Sequence, residues 1–130
     1  MAKKKILIIE DNEQNLYLTT FLLEKEDYEV AQARDGQQGI ELAVSEPPDL
    51  ILLDIQLPVM DGHEVARRLK QAEETKTIPI VAVTSYAMAG DRETILAAGC
   101  EGYIEKPIDP DSFVEQVRKF LLQGREGGIT

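Results

Sequence analysis

The stretch KILIIEDNEQN, residues 5–15, decides how the rest of the chain is read. Ile6, Leu7, Ile8 and Ile9 run straight into two carboxylates, Glu10 and Asp11. A strand with one wet face alternates apolar and polar residues, whereas an unbroken aliphatic run marks a strand covered on both faces, as in parallel sheets. Five apolar runs stand out in all, and three of them are near-continuous aliphatic rather than alternating. Further apolar runs are YEVAQA (28–33), LILLD (50–54), IPIVAVT (78–84) and EGYIEK (101–106). The segments between them have helical spacing. Leu16, Thr19, Thr20, Leu22 and Leu23 mark the first. Ile40, Leu42, Ala43 and Val44 mark a second, ended by Pro47 and Pro48. Val65, Ala66 and Leu69 mark a third, and Ile95, Leu96 and Ala98 a fourth, closed by Gly99. Phe113, Val114, Val117, Phe120 and Leu121 form a fifth apolar stripe, with Asp109 placed to cap it and Pro110 at its first position.

Strands alternating with helices imply a parallel sheet with right-handed crossovers. Five such units predict an α/β doubly wound, flavodoxin-like (βα)5 fold with strand order 2-1-3-4-5. One domain is expected over 1–122. Residues 123–130 are Gly-rich and lack periodicity, so they are expected to form a flexible tail.

Composition narrows the function classes. The chain has 130 residues, 43% apolar and 29% charged, ordinary values for a globular domain. A net charge of -10 argues against nucleic acid or an anionic membrane as partner, although acidity is also a common solubility device. Cys100 is the one cysteine and cannot form an internal disulfide, which fits a reducing compartment. Lys3, Lys4 and Lys5 precede an apolar run too short for a signal peptide, and no stretch reaches the roughly 18 apolar residues of a membrane span. A soluble, cytoplasmic location is expected.

In open α/β sheets, ligands sit beyond the carboxyl ends of the strands, where the strand order reverses. The residues ending each strand are therefore the candidate site. Glu10 and Asp11 end the first, Asp54 the third, Thr84 and Ser85 the fourth, and Lys106 and Pro107 the last. The second ends near Arg34-Asp35-Gly36, which reads as a turn. Strands 1 and 3 are neighbours in the predicted order, so three carboxylates, a hydroxyl and an ammonium share one edge. Three carboxylates and one ammonium leave a formal charge of -2. Each like-charge pair at about 4 Å costs from roughly 1 kcal/mol in water to about 4 at an effective dielectric of 20. A hard divalent cation cancels that charge, and oxygen-only ligands favour Mg²⁺. A plainer reading makes Asp11 or Asn12 the cap of the first helix and nothing more. It does not account for Asp54, which is followed by Ile55-Gln56-Leu57-Pro58 before the turn signal Asp61-Gly62 arrives.

The segments ILIIEDN, DLILLDIQLPVMDG, IPIVAVTSYA and GYIEKPID together resemble the receiver domain of two-component response regulators. The likeness covers about residues 4–122, and the EDN and YAMAGD segments are most similar to single-domain cell-cycle receivers and receivers of hybrid kinases. The resemblance implies that Asp54 is the phospho-acceptor. Asp11 and Asp54 would bind Mg²⁺, with the backbone carbonyl of Gln56 as a third ligand and Glu10 acting mainly through water or by position. Thr84 would be the switch hydroxyl, Lys106 would pair with a phosphoryl oxygen, and Tyr103 would change rotamer on activation. Lys106–Pro107 would be a cis peptide. Gln56 and Tyr86 would tune the lifetime of the phosphoryl group. The implied donor is a sensor histidine kinase or histidine phosphotransfer domain, the implied output a protein target on the face of the fourth helix, fifth strand and fifth helix, and a phosphorylation-dependent dimer is compatible with it. No enzyme activity is implied beyond promoting the domain's own phosphoryl transfer and autodephosphorylation. Glu10, where Asp is commoner, and Ser85, where Ala is frequent, depart from the pattern without removing a required group.

Three other readings compete. A flavodoxin-like cofactor binder needs a Gly/Ser/Thr-rich loop after the first strand, where this chain has Glu-Asp-Asn-Glu-Gln. An aspartate-nucleophile phosphatase needs an acid two residues after the nucleophile, where Gln56 stands. A phosphorylation-independent binding module would not need all five polar side chains. His63, the single histidine, reads as a surface residue at a helix start, and Tyr17, Phe21 and Leu22 as core or partner surface. No helix-turn-helix or basic face is present, so direct DNA binding is not expected.

Overall fold

A computed structural model describes residues 3–85 and 88–127. The elements alternate throughout: β1 (Lys5–Ile9), α1 (Glu13–Lys25), β2 (Glu29–Ala33), α2 (Gly36–Ser45), β3 (Leu50–Asp54), α3 (Gly62–Gln71), β4 (Ile80–Thr84), α4 (Ala89–Ala97), β5 (Gly102–Glu105) and α5 (Phe113–Gly127). The sheet is parallel, in the predicted order β2-β1-β3-β4-β5.

The aliphatic runs are continuous because both faces of the sheet are covered. Leu7, Ile9, Ile51, Leu53, Ile80 and Ala82 point to one side, against Ala43, Val65, Leu69 and Ile95 of α2, α3 and α4. Ile6, Ile8, Leu50, Leu52, Val81 and Val83 point to the other, against Leu16 and Leu23 of α1 and Phe113 and Val117 of α5. Every residue of β3 and β4 is buried, as expected of the strands at the centre of the sheet. β2 is an edge strand and is only partly buried.

Local chemistry sets the element ends. Asn12 caps α1, its side-chain oxygen accepting the Asn15 N–H at 2.9 Å. Asp35 caps α2 by accepting the Gln38 N–H at 2.8 Å, so the apparent turn after β2 is a helix start. Asp61 caps α3 through the Glu64 N–H at 3.1 Å. Gly99 follows α4 with φ +106°, a left-handed position that only glycine takes without strain. The last helix differs from expectation. Asp109 caps a turn rather than α5 directly: its carboxylate accepts from the Asp111 N–H at 3.0 Å and the Ser112 hydroxyl at 3.1 Å, and Pro110 begins that turn. α5 starts at Phe113 and runs to Gly127, past the point at which apolar periodicity ends. The rest of the expected tail lies outside the described residues. No helix among the described residues is long and apolar enough to cross a membrane.

Candidate functional site

The strand ends converge at the carboxyl edge of the sheet. β1 and β3 are adjacent, with Ile9 opposite Leu53, so Glu10 and Asp54 emerge side by side. β3 and β4 pair Asp54 with Val83, and β4 and β5 pair Thr84 with Glu105, which brings Thr84 and Lys106 to the same edge. Capping of α1 by Asn12 leaves Asp11 exposed at the mouth rather than spent on the helix.

Carboxylate oxygens of Glu10, Asp11 and Asp54 lie within 4.8 Å of one another. Asp54 is 2% exposed and Glu10 4%, so two acids are buried in contact. The Lys106 ammonium lies 3.2 Å from Asp54 Oδ1 and 3.5 Å from Glu10 Oε1, and offsets part of their charge. The remaining lone pairs are shared with the backbone: Asp54 Oδ1 accepts the Gln56 N–H at 2.9 Å, and Glu10 Oε2 the Asn12 N–H at 3.2 Å. These partners do not balance the cost of burial. Desolvation first, then the hydrogen bond and charge of Asp54, push the Glu10 carboxyl up to about 7, against the opposing pull of the Asn12 N–H and Lys106. Three hard oxygen donors at this spacing, with negative charge in excess, suit a small divalent cation.

The loop from 55 to 61 is held close beneath the acids. The Gly62 N–H donates to the Ile55 carbonyl at 3.0 Å. A Cβ on Gly62 would lie 2.5 Å from Ile55 Cα and 2.6 Å from the Asp54 carbonyl oxygen. The glycine of the MDG triplet is therefore a packing requirement at the backbone of Asp54. Thr84 is fully buried at the end of β4. The Lys106–Pro107 peptide is cis, and the Lys106 N–H donates to the Thr84 carbonyl at 2.8 Å, which fixes where the lysine leaves β5.

Tyr103 is half-buried on β5, with the Arg92 guanidinium of α4 at 5.3 Å from its ring centroid. Tyr86 lies outside the described residues. Three features of the site carry no signature in the sequence: the Arg92–Tyr103 contact, a hydrogen bond from the Ser85 N–H to Gln56 Oε1 at 3.3 Å, and a positive φ of 65° at Val59. Elsewhere, Cys100 is buried and its thiol is pushed up to about 12, chiefly by desolvation, which makes it inert. His63 is partly exposed, 3.8 Å from Asp61. Tyr17 and Phe21 are exposed on α1 and stacked with centroids 6.5 Å apart, which places them on the surface rather than in the core.

The chain is similar to known proteins in both sequence and fold. A family model for the response regulator receiver domain matches residues 6–118. The chain is 47% identical over 118 residues to the polar-differentiation response regulator DivK of Brucella ovis, covering 91% of this chain and 96% of that one. A CheY-like response regulator receiver from Methanospirillum hungatei superposes with TM-score 0.88 at 31% identity, over 97% of this chain and 99% of that one. The receiver domain of the sensor histidine kinase PA1611 from Pseudomonas aeruginosa, solved with a magnesium ion coordinated in its active-site cleft, superposes with TM-score 0.84 at 33% identity, over 92% and 98%.

Proposed function

We propose, from the premise that this chain belongs to the response regulator receiver family, that it accepts a phosphoryl group on Asp54 and passes that event to a protein partner. The observation that carries the reading is a carboxylate buried at the end of the central strand, 3.2 Å from an ammonium and beside two further acids. Such a group is poorly explained by stability, since burying like charges is costly. It is well explained by a site that holds a divalent cation and uses the Asp54 carboxylate as a nucleophile.

The donor is a phosphohistidine on a histidine kinase or phosphotransfer domain. An Asp54 carboxylate oxygen attacks phosphorus, a P–O bond forms as the P–N bond breaks, and the electron pair returns to the imidazole. The chain supplies position and charge rather than covalent assistance. Lys106 pairs with a phosphoryl oxygen, and the Thr84 hydroxyl and nearby backbone N–H groups donate to the others. Glu10, Asp11, Asp54 and the Gln56 carbonyl are the residues that would hold Mg²⁺, which when bound neutralises charge on the transferring oxygens. Water later cleaves the acyl phosphate, with Gln56 and Tyr86 governing its lifetime.

The new charge of about -1.5 to -2 biases a two-state element. Thr84 turns toward the phosphoryl group, Tyr103 turns inward, and the α4-β5-α5 face changes for its reader, either a downstream protein or a second copy of the chain. The likeness to the polar-differentiation response regulator DivK supports an output in differentiation signalling. Intact-mass measurement after incubation with acetyl phosphate and Mg²⁺ tests the reading. One added phosphoryl group is expected, absent without Mg²⁺ and absent in Asp54→Asn. Equal uptake by Asp54→Asn would remove Asp54 as the acceptor.

A further inference from the structure

Gln56 stands two residues beyond Asp54, and Ser85 two beyond Val83, the partner of Asp54 in the β3–β4 register. The two residues therefore face one another where the central strands run out. The Ser85 N–H donates to Gln56 Oε1 at 3.3 Å, while the Gln56 N–H donates to Asp54 Oδ1 at 2.9 Å. Both residues are exposed, so the hydrogen bond, rather than packing, orients the Gln56 carboxamide across the mouth of the site.

We propose that the Gln56 side-chain oxygen is a built-in occupant of the Ser85 N–H, which a phosphoryl oxygen on Asp54 must displace. The inference rests on the reading of Asp54 as acceptor. Phosphorylation brings three strong acceptor oxygens to a place where the Gln56 N–H already points at Asp54 and the Ser85 N–H lies just beyond. One N–H serves one good acceptor, so carboxamide and phosphoryl group compete for it. The phosphoryl oxygen is charged and the carboxamide neutral, so displacement is favourable, but the bond lost is subtracted from the gain. Two consequences follow from this geometry. The latch lowers the apparent affinity of the site for any phosphoryl-like anion by holding a donor closed. It also ties the loop after β3 to Ser85, the first residue after β4, so that charge on Asp54 acts against that tie. Gln56 is in this sense a positioning residue, acting through Ser85 by its side chain, separately from its backbone carbonyl.

The test uses the full chain in three forms: wild type, Gln56→Met, which keeps the length but lacks the oxygen, and Gln56→Glu, which keeps an acceptor in place. Water-exchange NMR reads the Ser85 amide, and titration with beryllofluoride in Mg²⁺ reads the anion site. In Gln56→Met, Ser85 exchange is expected to rise by about 2- to 10-fold and beryllofluoride affinity to tighten by a similar factor, the range of one net hydrogen bond. Gln56→Glu is expected to retain wild-type protection of Ser85. Unchanged Ser85 exchange in Gln56→Met, unchanged or weaker beryllofluoride binding in it, or loss of protection in Gln56→Glu would each overturn the proposal. If Ser85 exchange rises in Gln56→Met but no form binds beryllofluoride, the hydrogen bond stands while the acceptor reading falls, and the proposal falls with it.

Discussion

Burial of Glu10 against Asp54 gives the chain a carboxyl that titrates near neutrality, raised from 4.5 to about 7. The folded state holds this proton more tightly than the unfolded chain. Its contribution to stability is therefore fully present below pH 4.5 and is lost as pH rises through 7. The loss is on the order of 3 kcal/mol. Glu10→Gln keeps the shape and cannot ionise. Urea denaturation should find it close to wild type at pH 4.5 and more stable than wild type at pH 8. A constant difference across that range would refute the assignment. The same proton opposes a cation, so the affinity for Mg²⁺ in a calorimetric titration should rise between pH 6 and 7.5 and then level off. The acids themselves were legible in the sequence, because each ends an aliphatic run. The inequality among them was not. Glu10 and Asp11 are neighbours, yet one is buried and the other exposed, a difference set by the direction in which each leaves β1.

The loop between β3 and α3 carries a residue in an unfavourable backbone conformation. The Met60 N–H donates to the Pro58 carbonyl at 2.7 Å, which makes Val59 the centre of a γ-turn with φ +65°. That is the strained hand of the turn, and a β-branched residue is poorly suited to it. Val59 is also fully exposed, so nothing it buries offsets the strain, which costs of order 1–3 kcal/mol. Val59→Asn should stabilise the fold by about 1 kcal/mol, raising the thermal midpoint by roughly 3–5 °C; a lowered midpoint would contradict the strain. Gly62→Ala should act in the opposite sense, because its Cβ would meet the Asp54 carbonyl at 2.6 Å. A loss of about 1–3 kcal/mol is expected, together with slower phosphoryl uptake, since the displaced backbone carries Asp54, the proposed acceptor. Asp61-Gly62 was readable as a helix start, whereas a valine in a left-handed turn leaves no mark in residue pattern. The same holds at α5: Asp109 and Pro110 announced a start, but the Asp109 carboxylate closes a separate turn before the helix proper.

Across the whole molecule, strand order does what no single segment does. Residues 10, 11, 54, 84 and 106 are spread along the chain, and only the order β2-β1-β3-β4-β5 brings their strand ends to one edge. The parallel sheet was legible because burial on both faces shows directly as unbroken aliphatic runs, and five alternating βα units pointed to the order. Contacts that involve exposed positions, such as the Gln56 side chain with the Ser85 N–H and Arg92 with the half-buried Tyr103, were not legible, because exposed positions carry no periodicity. The acidic edge is a built-in electrostatic cost, so occupation by a cation should stabilise the whole fold. At ten times its dissociation constant, Mg²⁺ should add about 1.4 kcal/mol and raise the thermal midpoint accordingly, an effect expected to vanish in Asp11→Ala. The claim on which all of this depends is the identity of the modified atom. Borohydride reduction after treatment with acetyl phosphate and Mg²⁺ converts an aspartyl phosphate to homoserine, and peptide mass mapping then locates it. Homoserine is expected at position 54 alone; homoserine at position 11, or none at all in a chain that has taken up phosphate, would rule out Asp54 as the acceptor.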